Sequence, residues 1–205
     1  MTIRLHRGDL PDLSAYKGAV AIDTEAMGLD PNRDRLCVVQ LSPGDGSADV
    51  VQIGAGQRKA PNIERLLADK SILKIFHFAR FDLGMLAKTF GVMAAPVYCT
   101  KIASRLARTY TDKHGLKDLA REVLGVDLSK QQQLSDWGAD ELSDAQVSYA
   151  ATDVLHLHAL KEKLDGMLAR EGRGDLAAAC FCFLPDRARL DLAGWATQDI
   201  FSHSS

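Results

Sequence analysis

Apolar and polar positions alternate along this chain in two regimes, short apolar runs first and amphipathic stretches later. The runs at 19–23, 35–41 ("RLCVVQL"), 49–53 ("DVVQI") and 72–76 ("ILKIF") have the length and residue types of buried strands. Pro43-Gly44-Asp45-Gly46 lies between the second and third and predicts a hairpin turn. Residues 1–18 can add a flanking strand. Helical periodicity predicts helices over about 62–69, 80–90, 100–109, 115–124 and 174–190, and a long one from near 143. Ser143 and Gln146 mark the start of the long helix, with the spacing of a capping box. Strands followed by interspersed helices define an α/β protein with a mixed β-sheet flanked by helices. No repeat, low-complexity tract or Pro/Gly/Ser-rich linker divides it, so 1–205 reads as a single domain.

Composition adds exclusions. With 46% apolar and 25% charged residues among 205, the chain can bury a sizeable core. No run approaches the ~18 apolar residues of a membrane span. The N-terminus lacks the apolar stretch of a secretion signal, so a cytoplasmic protein is expected. Cys37, Cys99, Cys180 and Cys182 form no C-x-x-C pair and are expected to be reduced core thiols. A net charge of −2 argues against a clamp on long duplexes. The charge is nevertheless uneven. Residues 101–130 carry seven basic side chains (Lys101, Arg105, Arg108, Lys113, Lys117, Arg121, Lys130) against four acidic ones. Either a phosphate-attracting patch or an ordinary helix surface accounts for that.

The candidate chemistry begins with "GAVAIDTEAMGLDP" at 18–31. Asp23 and Glu25 are two apart on a predicted strand, so both carboxylates point to one face beside a core. Like charges placed there repel, and burial raises the cost. Nothing in the strand neutralises both, whereas a divalent cation would: magnesium and manganese prefer carboxylate oxygen. Two further acids suit such a site. Asp82 falls in the first turns of the helix after "ILKIF", where it is a metal ligand, a cap or a partner of the helix dipole. Tyr149 and Asp153 are four apart, on a helix face otherwise made of Ala, Val and Leu. There Asp153 is a ligand or half of an ion pair, and Tyr149 a site residue or a hydrogen-bonded core aromatic.

Asp-x-Glu on a strand, an Asp in a later helix and Tyr-x-x-x-Asp on a late helix together resemble the DEDD exonuclease superfamily, in its tyrosine-containing branch. "AIDTEAMGL", "IFHFARFDLGML" and "YAATDVLHLHAL" resemble its three motifs in the right order, the last two most closely as in RNase D. "RDRLCVVQLS", "CTKIASRLARTYTDKHGLKDL", "SKQQQLSDW" and "CFCFLPDRARLDLAGW" extend the likeness, over nearly the whole chain, to the bacterial nanoRNase C family. The resemblance implies an RNase H-like DEDD exonuclease fold without the C-terminal helical (HRDC) domains of RNase D. It implies a 3′–5′ exonuclease that degrades very short RNAs, dinucleotides included, to 5′-mononucleotides. It also implies a ring-like homo-octamer. The tail "LDLAGWATQDIF" keeps Leu192, Trp195, Ile200 and Phe201 near the chain end, either packed on their own domain or forming a subunit interface.

By the same resemblance Asp23, Glu25 and Asp153 hold one divalent ion, Mg2+ or Mn2+. Asp23 bridges to a second, which Asp82 supports. The two ions activate water and stabilise the 3′-oxygen leaving group, and Tyr149 orients the water. Met27 and Gly28 offer backbone to the terminal ribose. Leu29 is a wedge between the last two bases or a turn-flanking core leucine. His77 and Phe78 precede the second motif, and Phe78 stacks on a base or belongs to the core. In "SKQQQLSDW", Lys130 would meet phosphate, and Gln133 or Trp137 the base or reactive site; otherwise the segment is a solvated connector. Three rivals stay open: an RNase H-like endonuclease, RNase D-type processing of structured RNA, and a non-catalytic nucleic-acid-binding module. DNA stays open as a substrate.

Overall fold

The computed structural model describes residues 2–129 and 131–203. Six strands form one mixed sheet: β1 (Thr2–Arg7), β2 (Ala19–Ala26), β3 (Leu36–Ser42), β4 (Ser47–Gln52), β5 (Leu73–Phe76) and β6 (Val97–Cys99). Their spatial order is β1-β4-β3-β2-β5-β6. The hairpin β3–β4 and the pair β2–β3 are antiparallel. β1 runs parallel to β4, β5 to β2, and β6 to β5. The helices are α1 (Pro61–Ala68), α2 (Ala79–Phe90), α3 (Thr100–Ala107), α4 (Leu116–Leu124), α5 (Asp144–Leu155), α6 (Leu157–Arg170) and α7 (Gly174–Leu190), the last ending in a π-helical turn, Asp191–Trp195. None is long and apolar enough to cross a membrane.

The period-2 alternation of the central strands sorts their side chains onto two cores. Val20, Ile22, Val39 and Leu41 pack with α1, α2 and part of α7. Ala21, Val38 and Val50 pack with Ala150, Ala151 and Val154 of α5 and with the leucines of α6. Asp23 and Glu25 continue the second face at the end of β2, and a register irregularity follows between Glu25 and Ala26. On the β5 side the pairing of β2 stops at Ala21, so the two acids emerge past the end of that ladder, under α5.

Two expectations need correction, and one strand is additional. The long helix from 143 is two helices: α5 is interrupted at His156 (φ −104°, ψ −6°), and α6 starts at the next residue. The capping box that starts α5 is formed, with Ser143 Oγ accepting from the Gln146 amide at 3.3 Å. The strand β6 was not expected, because three residues are too few to show a period. The thiols are free, but only Cys37 and Cys99 are core residues; Cys182 is exposed on α7. The strand expected within 1–18 is β1, on the sheet edge.

Candidate active site

The strand β2 delivers Asp23 and Glu25, and α5 delivers Asp153, so that one oxygen of each lies within 4.8 Å of the others. Asp82 comes from the first turn of α2 and is almost wholly buried. Its Oδ1 accepts from Thr24 Oγ1 at 2.6 Å, which leaves Oδ2 for another partner. Among the described residues, no Lys, Arg or His forms an ion pair with any of the four acids. Burial therefore pushes all four carboxyl groups above the usual range. For Asp82 and Asp153 the charge of Asp23 adds to the effect, and for Glu25 the other three acids do. Three acids around one point, Asp23, Glu25 and Asp153, fit a hard divalent cation; Asp82 stands outside that trio, close enough for its charge to act on Glu25. The alternative in which Asp153 is half of an ion pair has no basic partner for it among the described residues.

Tyr149 lies one helical turn before Asp153 and lines the same cleft. Burial first, then the charges of Asp153, Glu25 and Asp23, push its hydroxyl above the usual tyrosine range, so it keeps its proton at neutral pH. The Trp137 ring packs on it with centroids 6.1 Å apart. Trp137 lines the cleft but is only 3% exposed, and its Nε1 has no partner among the described residues. It stands under Tyr149 rather than out in the opening.

The cleft holds about 570 Å3. Asp23, Glu25, Tyr149 and Asp153 meet Met27–Leu29, His77, Lys101, Gly115–Lys117 and Gln133 around it. Leu29 is 86% exposed at its mouth, which removes it from the core. Met27 is also exposed. A Cβ at Gly28 would run into the Asp34 carboxylate, which accepts from the Asp30 amide at 3.0 Å, so a side chain there would displace that group. His77 Nδ1 pairs with Thr100 Oγ1 at 2.9 Å, and its buried Nε2 has no partner among the described residues. Burial and the nearby Lys101 push this ring down to about 3, so it stays neutral. Phe78 is a non-glycine residue with φ +78°, left-handed backbone of the kind that collects at functional sites. Its half-exposed ring lies 4.4 Å from Lys101 Nζ. Gln133 reaches the cleft from an exposed loop, which Gln146 ties down by donating to Ser135 Oγ and Asp136 O at 3.2 and 2.9 Å. Lys130 lies outside the described residues.

The basic excess at 101–130 does not form one patch on the cleft. Lys101 and Lys117 line the cleft. Arg108 is fully buried, donates to Ser104 Oγ and Lys113 O at 2.8 and 3.0 Å, and pairs with Glu122. Charge alone could not separate them. Thr24, Gly115 and Leu116 carried no signal as site residues: they are ordinary residue types, placed at the site by tertiary packing.

With this geometry in view, comparison with known proteins is direct. A family model described as 3′–5′ exonuclease matches residues 10–169. NrnC of Brucella melitensis, solved with bound Mg2+, is 63% identical over the full length of both chains, with a TM-score of 0.97. NrnC of the same organism bound to pGG is 64% identical, again over both full lengths, with a TM-score of 0.97. Ribonuclease D of Gluconacetobacter diazotrophicus is 37% identical over 169 residues, 82% of this chain and 42% of that protein. The chain thus spans about two fifths of the length of the ribonuclease D relatives it matches. The chain belongs to the 3′–5′ exonuclease family, whose members depend on divalent metal ions. Within it, this is an RNase D-like DEDD exonuclease of the nanoRNase C type.

Proposed function

We propose that residues 1–205 work as one exonuclease domain that degrades very short RNAs, dinucleotides foremost, from the 3′ end to 5′-mononucleotides. The observation that carries this reading is the unpaired acid cluster at the floor of a cleft of about 570 Å3. That is the scale of a small-molecule pocket rather than of a groove for a long strand. Asp23, Glu25 and Asp153 would hold one Mg2+ or Mn2+, and Asp82 a second that Asp23 shares. Bound there, two divalent ions would supply the Lewis acidity for water to attack the terminal phosphodiester and for the 3′-oxygen to leave. Tyr149, protonated, orients the water through its hydroxyl. Leu29 wedges between the two bases, and the Met27–Gly28 backbone borders the terminal ribose. Phe78 stacks on a base; Lys130, Gln133 and Trp137 serve the substrate side through their loop. The solved complex of NrnC with pGG, at 64% identity, supports the dinucleotide assignment. The proposal places the enzyme in the cytoplasm, where its substrates arise.

Binding that tracks a long strand needs a continuous basic groove and falls steeply with salt. Here net charge is −2 and two lysines line the described part of the cleft, so affinity should come from the last two nucleotides. We expect kcat/KM for a 5′-phosphorylated dinucleotide to equal or exceed that for a ten-nucleotide RNA. A tenfold preference for the longer RNA, about 1.4 kcal/mol of transition-state binding, would move the enzyme toward RNase D-type processing of structured RNA. A deoxydinucleotide in the same assay decides on DNA.

The same reading includes a homo-octamer. Asp191 pairs with both Arg80 and Arg187 and anchors the tail, yet Trp195, Ile200 and Phe201 stay 42%, 41% and 73% exposed. Exposed apolar groups clustered on an anchored segment suit a subunit contact. Light scattering at micromolar concentration should give a multiple of the 22.3 kDa chain mass, and a monomer would refute the assembly.

A further inference from the structure

Gln40 is a fully buried amide in an apolar setting. It lies on β3 opposite Asp23 of β2 on one side and Val50 of β4 on the other. Its neighbours Val39 and Leu41 face the core under α1 and α2. By strand alternation Gln40 faces the other way, toward the cluster of Val38, Val50, Ala150, Ala151 and Val154 beneath α5. Gln40 Nε2 donates to Asp23 Oδ2 at 3.3 Å, and Oε1 has no partner among the described residues. A buried, half-satisfied amide is less favourable than an aliphatic side chain of the same shape. Packing therefore does not account for it, and its one partner is a site carboxylate. Asp23 receives no other side-chain hydrogen bond among the described residues. Repulsion from Glu25 and Asp153 would otherwise turn its carboxylate away from them. A donor on Oδ2 restrains the rotation of the group and leaves Oδ1 and the second lone pair of Oδ2 unclaimed by any side chain among the described residues.

We propose that Gln40 is a positioning residue that holds the Asp23 carboxylate ready for a divalent ion. It acts through Asp23 and touches neither substrate nor reacting atoms. Partners of this kind orient metal ligands, and their loss commonly lowers metal affinity or activity 10- to 100-fold, an order-of-magnitude expectation. The inference rests on the reading of Asp23, Glu25 and Asp153 as metal ligands.

The test uses the full chain and Mn2+ alone, with Gln40→Met, which keeps the volume and removes the donor. Calorimetry should show Mn2+ affinity lower by about tenfold or more, while the melting temperature in EDTA is unchanged or higher. Affinity within twofold of the parent would overturn the proposal. So would a fall of several degrees in EDTA parallel to the loss of binding, because that is a packing role. If Gln40→Met does not fold, Gln40→Asn withdraws the amide by one methylene and should show the same loss of affinity; affinity retained would again overturn the proposal. Asp23→Ala is the control. Mn2+ binding that survives it takes down the metal reading together with this inference, whereas binding lost in Asp23→Ala but kept in Gln40→Met removes the Gln40 role alone.

Discussion

Asp23→Ala, Glu25→Ala, Asp82→Ala and Asp153→Ala are each expected to lower kcat by about a thousandfold or more, roughly 4 kcal/mol of transition-state stabilisation. The chain should stay folded in all four. The reason is electrostatic. In the metal-free chain no cation among the described residues pairs with the four acids, and burial raises every one of them. A raised folded-state pKa means that the folded chain binds more protons than the unfolded one. The contribution of these four acids to metal-free stability is therefore fullest near pH 4 and falls as pH rises above the ordinary carboxylate range. Glu25 is raised by burial and by three neighbouring acids. Glu25→Ala should then raise the melting temperature in EDTA at pH 7 to 8 and flatten its fall with pH. Activity within tenfold of the parent for any of the four, or a fall of several degrees for Glu25→Ala in EDTA, would count against this site.

Tyr149→Phe is expected to lower kcat by about a hundredfold and to leave Mn2+ affinity within twofold. In the metal-free chain the hydroxyl is held above its usual range by burial first and then by the acids beside it, and the role proposed for it is to orient water. Removing it takes away orientation of water and no charge from the metal cage. The ring survives, and with it the packing on Trp137. Parallel single-turnover kinetics and calorimetry separate the two roles: equal losses in rate and in metal affinity would put Tyr149 among the metal ligands.

The acids were legible because each rests on a local rule. Two residues apart on a strand put Asp23 and Glu25 on one face, and four apart on a helix put Tyr149 and Asp153 on another. A buried like-charged pair then demands an explanation from physics alone. What the sequence hid is what only the tertiary fold assembles. Lys101 and Lys117 looked the same as Arg108, and folding sends the first two to the cleft and the third into the interior. Gln40 sits in a strand that reads as core, and its meaning comes from the register that sets it opposite Asp23. Leu29 was ambiguous because an apolar residue beside a turn packs inward or outward according to the neighbouring elements; here it is outside. The break at His156 leaves no mark on a periodicity that runs smoothly from α5 into α6.

The most direct measurement is digestion of a 5′-end-labelled ten-nucleotide RNA by the full chain, in Mg2+ or Mn2+ and in EDTA, with products resolved by length. Two-metal hydrolysis from the 3′ end predicts a ladder that shortens one nucleotide at a time, releases 5′-mononucleotides, and vanishes both in EDTA and in Asp23→Ala. Internal fragments without a ladder, or a ladder that persists in EDTA, would contradict it.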